Sequence, residues 1–240
     1  MENKKSLLNL SCVDVPGTKI SVRIPTVGEI LEDESNYYGI ISTFTASPFQ
    51  YMAQLDNWGI DFAAMTDYEL FRILFMTYAA GDLSILFGDL DLSDCGVYKR
   101  EKQGEFIYSP GNDIEINENV YNFISDIIRK INLIEKVSYK PGNESAKKYL
   151  LEKERKRLKR NTKKQYEPYL EKLVISLVNT SEFPYDYDSC MDLSIYRFNQ
   201  SFKQIQHKIA FDNTMIGVYA GTVDTAKLSN KDALSWISNK

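Results

Sequence analysis

Asn117-Glu-Asn-Val-Tyr-Asn-Phe-Ile-Ser-Asp-Ile-Ile-Arg-Lys-Ile131 is the stretch that decides the fold class. Val120, Phe123, Ile124, Ile127, Ile128 and Ile131 recur at the spacing that puts side chains on one face of an α-helix, and polar residues fill the gaps. Upstream, Thr26-x-x-Glu29 and Thr66-x-x-Glu69 have capping-box form, and Ser47-Pro48-Phe-Gln50 sets a capping serine beside a proline suited to a first helical turn. Gly59 and Gly81 stand where the second and third of these helices are expected to end. Further towards the N-terminus the pattern changes: Lys19-Ile-Ser-Val-Arg23 reads as a strand, and Pro16-Gly17 before it suits the turn of a short hairpin.

Between the third helix and Asn117 the helical period lapses. Gly88, Gly96, Gly104, Pro110 and Gly111 punctuate short runs such as Glu105-Phe-Ile-Tyr108 and Asp113-Ile-Glu-Ile116, which predicts a small central β element. Downstream, Pro141-Gly142-Asn143 breaks the chain, Ser145 is placed to cap a new helix, and Pro168 ends the basic run that follows. Leu170, Leu173, Val174, Leu177 and Val178 form another stripe, and Phe183-Pro-Tyr-Asp-Tyr187 makes a turn. A long helix is expected from Ser189 to Phe211, with Met191, Ile195, Phe198, Phe202, Ile205 and Ile209 on one side. Gly221 closes the next helix, and Ser229-x-x-Asp232 opens a last short one bearing Trp236. The expectation is a mainly α (α+β) protein: an N-terminal α+β domain over 1–144, a basic helical linker over 145–167 and a C-terminal helical domain over 168–240.

Composition narrows the function classes. At 240 residues with 43% hydrophobic content the chain can bury a sizeable core, and a net charge of −4 is not that of a dedicated nucleic-acid coat. The charge is uneven, however. Residues 147–164 hold ten Lys or Arg against two Glu, which leaves about twelve net negative charges on the remainder. Cys12, Cys95 and Cys190 are odd in number and far apart, which argues against a disulfide framework and for a reducing compartment. The Met1-Glu-Asn-Lys-Lys5 start leads into no sustained apolar region, so no signal peptide is expected, and Leu70–Ala80, interrupted by Arg72, is too short to cross a bilayer.

Catalytic and cofactor chemistry finds no signature. His207 is the only histidine, which excludes a multi-histidine zinc site, and it has no identifiable nucleophile or orienting partner. Asp89-Leu-Asp91-Leu-Ser93-Asp94 begins like a calcium loop, but the sixth position is Asp94 rather than glycine and the twelfth is Arg100 rather than glutamate. Glu32-Asp33-Glu34 and the Asp186/Asp188 pair read as surface charge. Neither common glycine-rich phosphate cradle is present, and Gly217-Val-Tyr-Ala-Gly221 reads as a close-packing site and a cap. No enzyme activity, cofactor or metal is therefore expected.

What remains is binding. Lys153, Arg155, Lys156, Arg157, Lys159 and Arg160 form a basic patch that suits an acidic partner or the acidic remainder of the chain, and less well nucleic acid, because only Tyr149 and Tyr166 interleave it. Sixteen Tyr and twelve Phe make the chain rich in the aromatics that anchor interfaces.

Two stretches carry a family resemblance. The first is Ile24-Pro-Thr-Val-Gly-Glu-Ile30, with Tyr37-Tyr38, Pro48, Gln54-Leu-Asp-Asn-Trp-Gly-Ile-Asp-Phe62 and Glu69-Leu-Phe71. The second is Asp192-Leu-Ser-Ile-Tyr-Arg-Phe198, with Phe202-Lys-Gln-Ile205, Gly217-Val-Tyr-Ala-Gly221, Asp224 and Trp236. Together they resemble the tail assembly chaperones of long-tailed phages and prophages of Gram-positive bacteria. The resemblance implies a non-enzymatic protein in the cytoplasm of the bacterial host. Such a protein binds the tape measure protein and keeps it soluble while tail tube subunits assemble around it. Phe198, Phe202 and Trp236 are the expected partner-binding residues, since helix-in-groove recognition needs exposed apolar anchors. The basic insert over Ser145–Lys164 is outside the resembling pattern. Two competing readings are a virion structural protein, such as a connector or baseplate component, and a nucleic-acid-binding accessory factor.

Overall fold

The computed structural model describes residues 6–101, 104–161 and 167–237. The fold is mainly helical with two small antiparallel sheets, as expected. β1 (Cys12–Asp14) and β2 (Ser21–Arg23) form the N-terminal hairpin, with Val13 opposite Val22. Five helices follow: α1 (Val27–Glu32), α2 (Glu34–Thr45), α3 (Met52–Asn57), α4 (Asp67–Tyr78) and α5 (Ser84–Phe87). The central sheet runs in the order β3 (Gly96–Arg100), β4 (Gly104–Ser109), β5 (Ile114–Ile116), with Ile107 paired to Val97 on one side and Ile116 on the other. Then come α6 (Glu118–Asn132), α7 (Glu144–Asn161), α8 (Leu170–Val178), α9 (Tyr187–Met191) and α10 (Ile195–Tyr219), ending in two 3-10 turns at Thr225–Lys227 and Lys231–Leu234.

Local chemistry explains most boundaries. Both capping boxes are formed: the Thr26 and Thr66 hydroxyls accept from the Glu29 and Glu69 amides, whose carboxylates accept from the threonine amides in return. Several expectations are corrected, the last helix start among them: Asn230 rather than Ser229 caps the final 3-10 turn, which ends at Leu234 before Trp236. Ser47 caps no helix; its amide and hydroxyl donate to Gln50 Oε1 at 2.9 and 3.2 Å in a turn, and α3 starts only at Met52. Gly81 is not a left-handed terminator, whereas Gly59 is, at φ 73°. The cap of α7 is Asn143, whose Oδ1 accepts from the Ala146 amide at 2.8 Å, rather than Ser145. The long helix expected from Ser189 is interrupted at Asp192–Ser194, and its second part runs on to Tyr219, closed by Gly221 at φ 72°.

That interruption is fastened to the start of α1. The Val27 amide donates to Leu193 O at 2.9 Å, the Ile195 amide donates to Pro25 O at 2.8 Å, and Thr26 and Ser194 form an antiparallel bridge. Two backbone segments 168 residues apart in sequence thereby exchange hydrogen bonds that helices at both places leave open.

The larger core takes side chains from 1–144 and 168–240 together: Val22, Ile30, Phe44, Phe71 and Ile128 pack in one cluster with Leu170, Val174, Phe183, Ile195 and Phe198. α6 supplies Tyr121, Ile124, Ile127, Ile128 and Ile131; Phe123, expected on that face, points outward, and Tyr121 takes its place against Phe71 with ring centroids 4.5 Å apart. Arg129 is 6% exposed, and Nη2 donates to Thr45 O at 2.8 Å. The guanidinium so answers the partial negative charge at the C-terminus of α2. A smaller cluster joins Met52, Leu55, Phe62 and Leu70 to Leu151 of α7.

Glu34 is the carboxylate that ties α8 to this body. It is 6% exposed, and its Oε1 accepts from the Tyr169 and Leu170 amides at 2.8 and 3.1 Å, satisfying donors that begin α8. Glu34→Ala is expected to lower the urea-unfolding free energy by about 2 kcal/mol, because a buried and a part-buried amide lose a charged acceptor. The exposed neighbour variant Glu32→Ala should stay within about 0.5 kcal/mol. Equal midpoints for the two variants would reject this role.

Candidate interaction surfaces

α10 begins inside the core and ends outside it. Ile195, Phe198 and Ile205 are buried, and beyond Ile205 no described residue is. The chain reverses after Tyr219: Gly217 O accepts from the Thr222 and Val223 amides at 2.9 and 3.1 Å. The tail then returns along the helix until Gln204 Nε2 donates to Trp236 O at 2.6 Å and His207 Nε2 meets Ser235 O at 2.7 Å. Ile209, Ile216 and Tyr219 lie at i, i+7 and i+10 and are exposed, Tyr219 by 83%. The returning tail adds exposed Leu234, Trp236 and Ile237. Half-buried Phe211, Met215 and Val218 fall on another side of α10, next to His207 by helical spacing. Residues 206–237 therefore form an arm whose apolar side chains cover one another only in part.

The three residues expected to bind a partner are separated by this arrangement. Phe198 is 0% exposed and packs edge-on against Phe183, so it is a core residue with no exposed surface to offer. Phe202 packs partly against the same core. Trp236 alone is open, at 59%. The reason is that a helix entering a core presents its anchors inward at first, and the three- and four-residue spacing of the stripe does not say where the core stops. Ile209 was read in the sequence only as part of the stripe, and Ile216 and Tyr219 were missed; the signal for them is an apolar helical face continuing past the last core-filling residue.

The basic patch is divided as well. α7 turns Leu150 and Leu151 to the smaller cluster and fixes its flanks with ion pairs. Lys147 Nζ lies 2.8 Å from Asp61, holding that carboxyl below its usual range, and Arg155 pairs with Asp56 and reaches Asn57 at 3.3 Å. The Arg157 guanidinium engages Glu154 through two nitrogens, lowering the Glu154 pKa. Lys153, Lys156 and Arg160 are exposed with no partner among the described residues, and Lys159 is exposed. Lys163, Lys164 and Tyr166 lie outside the described residues.

The other candidates have structural duties. In the Asp89–Asp94 segment, Asp94 accepts from the Ser109 hydroxyl and the Gly111 amide, both at 2.5 Å, and so locks the β4–β5 turn. His207 fastens the tail as described. A shallow groove of about 530 Å³ beside α4, lined by Ile60, Met65, Ile73, Met76 and Val97, has the Arg72–Glu105 ion pair at its edge. Among the described residues, no helix is long and apolar enough to cross a membrane.

Residues 161–240 match the family described as the YomV second domain, a phage- and prophage-type family. The match takes in α8, α9, α10 and the returning tail, so the arm lies within a stretch that is similar to a phage-associated domain. No curated protein and no solved structure matches the chain.

Two outcomes follow from the geometry. A Cβ on Gly217 would come within 2.6 Å of Val223 Cγ2, so Gly217→Ala should loosen the returning tail while the helix itself gains up to about 1 kcal/mol of propensity. Trypsin should then cut after Lys227 and Lys231 faster than in the parent, with an unchanged or higher melting temperature; equal cleavage rates would show that the tail is not held there. Burial pushes the Cys95 thiol up to about 12 and raises the Cys190 pKa, whereas Cys12 is exposed. Ellman's reagent should therefore titrate one thiol in the native protein and all three in denaturant; rapid reaction of more than one would contradict the burial.

Proposed function

We propose that this chain is a phage tail assembly chaperone: a non-enzymatic protein of the host cytoplasm that binds the tape measure protein and keeps it soluble during tail morphogenesis. The observation that carries the reading is the arm over residues 206–237. Its exposed Ile209, Ile216, Tyr219 and Trp236 have no core of their own to fill. A surface of this kind suits a long amphipathic helix, which lays anchors at regular helical spacing along a complementary apolar face. The phage-type match over the same stretch supports this reading. The resemblance of both halves of the chain to tail assembly chaperones narrows it. Tail tube subunits are the second expected partner in this reading, and catalysis has no part in it.

Co-expression tests it. The tape measure protein of the same phage should be insoluble alone and recovered in the soluble fraction with this chain. Ile216→Ser/Tyr219→Ser/Trp236→Ser should fold with the parental melting temperature, because all three side chains are exposed, yet lose most of that recovery. Full recovery with the triple variant would remove the arm from the proposal, and no recovery with the parent would remove the function.

A further inference from the structure

Helical geometry sorts the side chains of α7 into two sectors. At 3.6 residues per turn, Lys147, Leu150, Leu151, Glu154 and Leu158 look towards α3 and the smaller cluster, and Arg155 and Arg157 flank them. Lys148, Tyr149, Glu152, Lys153, Lys156, Lys159 and Arg160 occupy the opposite sector, roughly 140° wide. All seven are exposed, Tyr149 by 66%. The inner cations are satisfied within the chain by Asp61, Asp56 and Glu154. Lys148, Lys153, Lys156 and Arg160 have no ion-pair or hydrogen-bond partner among the described residues. The chain thus answers the cations on one side of α7 and, on the other, leaves these four without a partner among the described residues.

We propose that this outer face of α7 is a second docking surface, and that its occupant is an acidic helical segment of another protein. The four cations extend over about 18 Å of a helix fastened to the body by Lys147–Asp61, Arg155–Asp56 and the packing of Leu150 and Leu151, a length matching three turns of a partner helix. Charge sign sets the partner's character, and the centre of the face sets its class. Glu152 stands exposed between Lys148 and Lys156, where it would repel a continuous row of phosphates but can pair with a basic residue of a mixed, predominantly acidic helix. Tyr149 supplies an aromatic anchor at the edge of the same face. The lysines are point charges without the planar fork that favours bidentate phosphate recognition, and Arg160 is the one free guanidinium among them. This surface is separate from the C-terminal arm and does not depend on the arm's role.

The test uses the full chain and two fluorescent probes of equal charge: a synthetic alanine-based helix bearing glutamates at i, i+4 spacing with one central lysine, and a duplex DNA. Anisotropy at low salt should show tighter binding of the peptide than of the DNA. The Lys148→Gln/Lys153→Gln/Lys156→Gln/Arg160→Gln variant should weaken peptide binding by about tenfold or more, whereas the flank variant Arg157→Gln should change it less than about twofold. Circular dichroism of both variants should match the parent, since the altered side chains are exposed. Tighter binding of DNA assigns the face to nucleic acid and overturns the proposal. So does parental peptide affinity in the quadruple variant, or no peptide binding at all. Salt-sensitive self-association of the parent that the quadruple variant loses, read by sedimentation velocity, gives the face to a second copy and equally overturns it.

Discussion

The hydrogen-bond exchange between Pro25–Val27 and Leu193–Ile195 is the constraint on which the rest of the molecule depends. It fixes the point at which α10 begins and therefore which part of that helix the core can reach. Ile195, Phe198 and Ile205 fall within reach; everything after Ile205 does not. An unpaired backbone group in so buried a place would be costly, so the break after α9 is an ordered feature that trades one helix hydrogen-bond ladder for a bond to a distant segment. Glu34 works to the same end from α2, offering its carboxylate to the first amides of α8. Between them these contacts attach the stretch similar to a phage-associated domain to the N-terminal body, and they aim its long helix out of it.

Much of the fold was legible because local chemistry and tertiary packing agree. The two capping boxes are each a reciprocal pair of hydrogen bonds that the sequence writes out in full, and the hairpin and central sheet follow from short apolar runs bounded by glycine and proline. What was illegible is tertiary. Periodicity places Phe123 and Tyr121 almost equally well on the inward face of α6, and only the ring of Phe71 across the core decides for the tyrosine. Ser47 has the right identity for a cap, but Gln50 competes for its donors. The break at Asp192–Ser194 has its cause in Pro25, far away in sequence.

The functional surface shows the same limit. An apolar stripe reads alike whether a core or a partner covers it, so Phe198, Ile209 and Ile216 are indistinguishable in the sequence, yet the first is enclosed and the others are open. The basic run was visible as composition. Its division into cations consumed by Asp56, Asp61 and Glu154 and four others without a partner among the described residues needed the position of α3 beside α7. The two proposed surfaces differ in kind: apolar area, as on the arm, contributes affinity to a complex, and charge, as on the outer face of α7, contributes encounter rate and orientation.

The most direct test of the central claim, that the arm is where a long helical partner sits, is site-specific photo-crosslinking in phage-producing cells. A photoreactive phenylalanine analogue in place of Tyr219, the most exposed of the arm's apolar residues at 83%, would be irradiated during tail assembly. The account predicts an adduct with the tape measure protein, identified by mass spectrometry, and none when the analogue stands at the buried Phe198 position. No adduct at Tyr219, or adducts only with virion shell proteins, would contradict it.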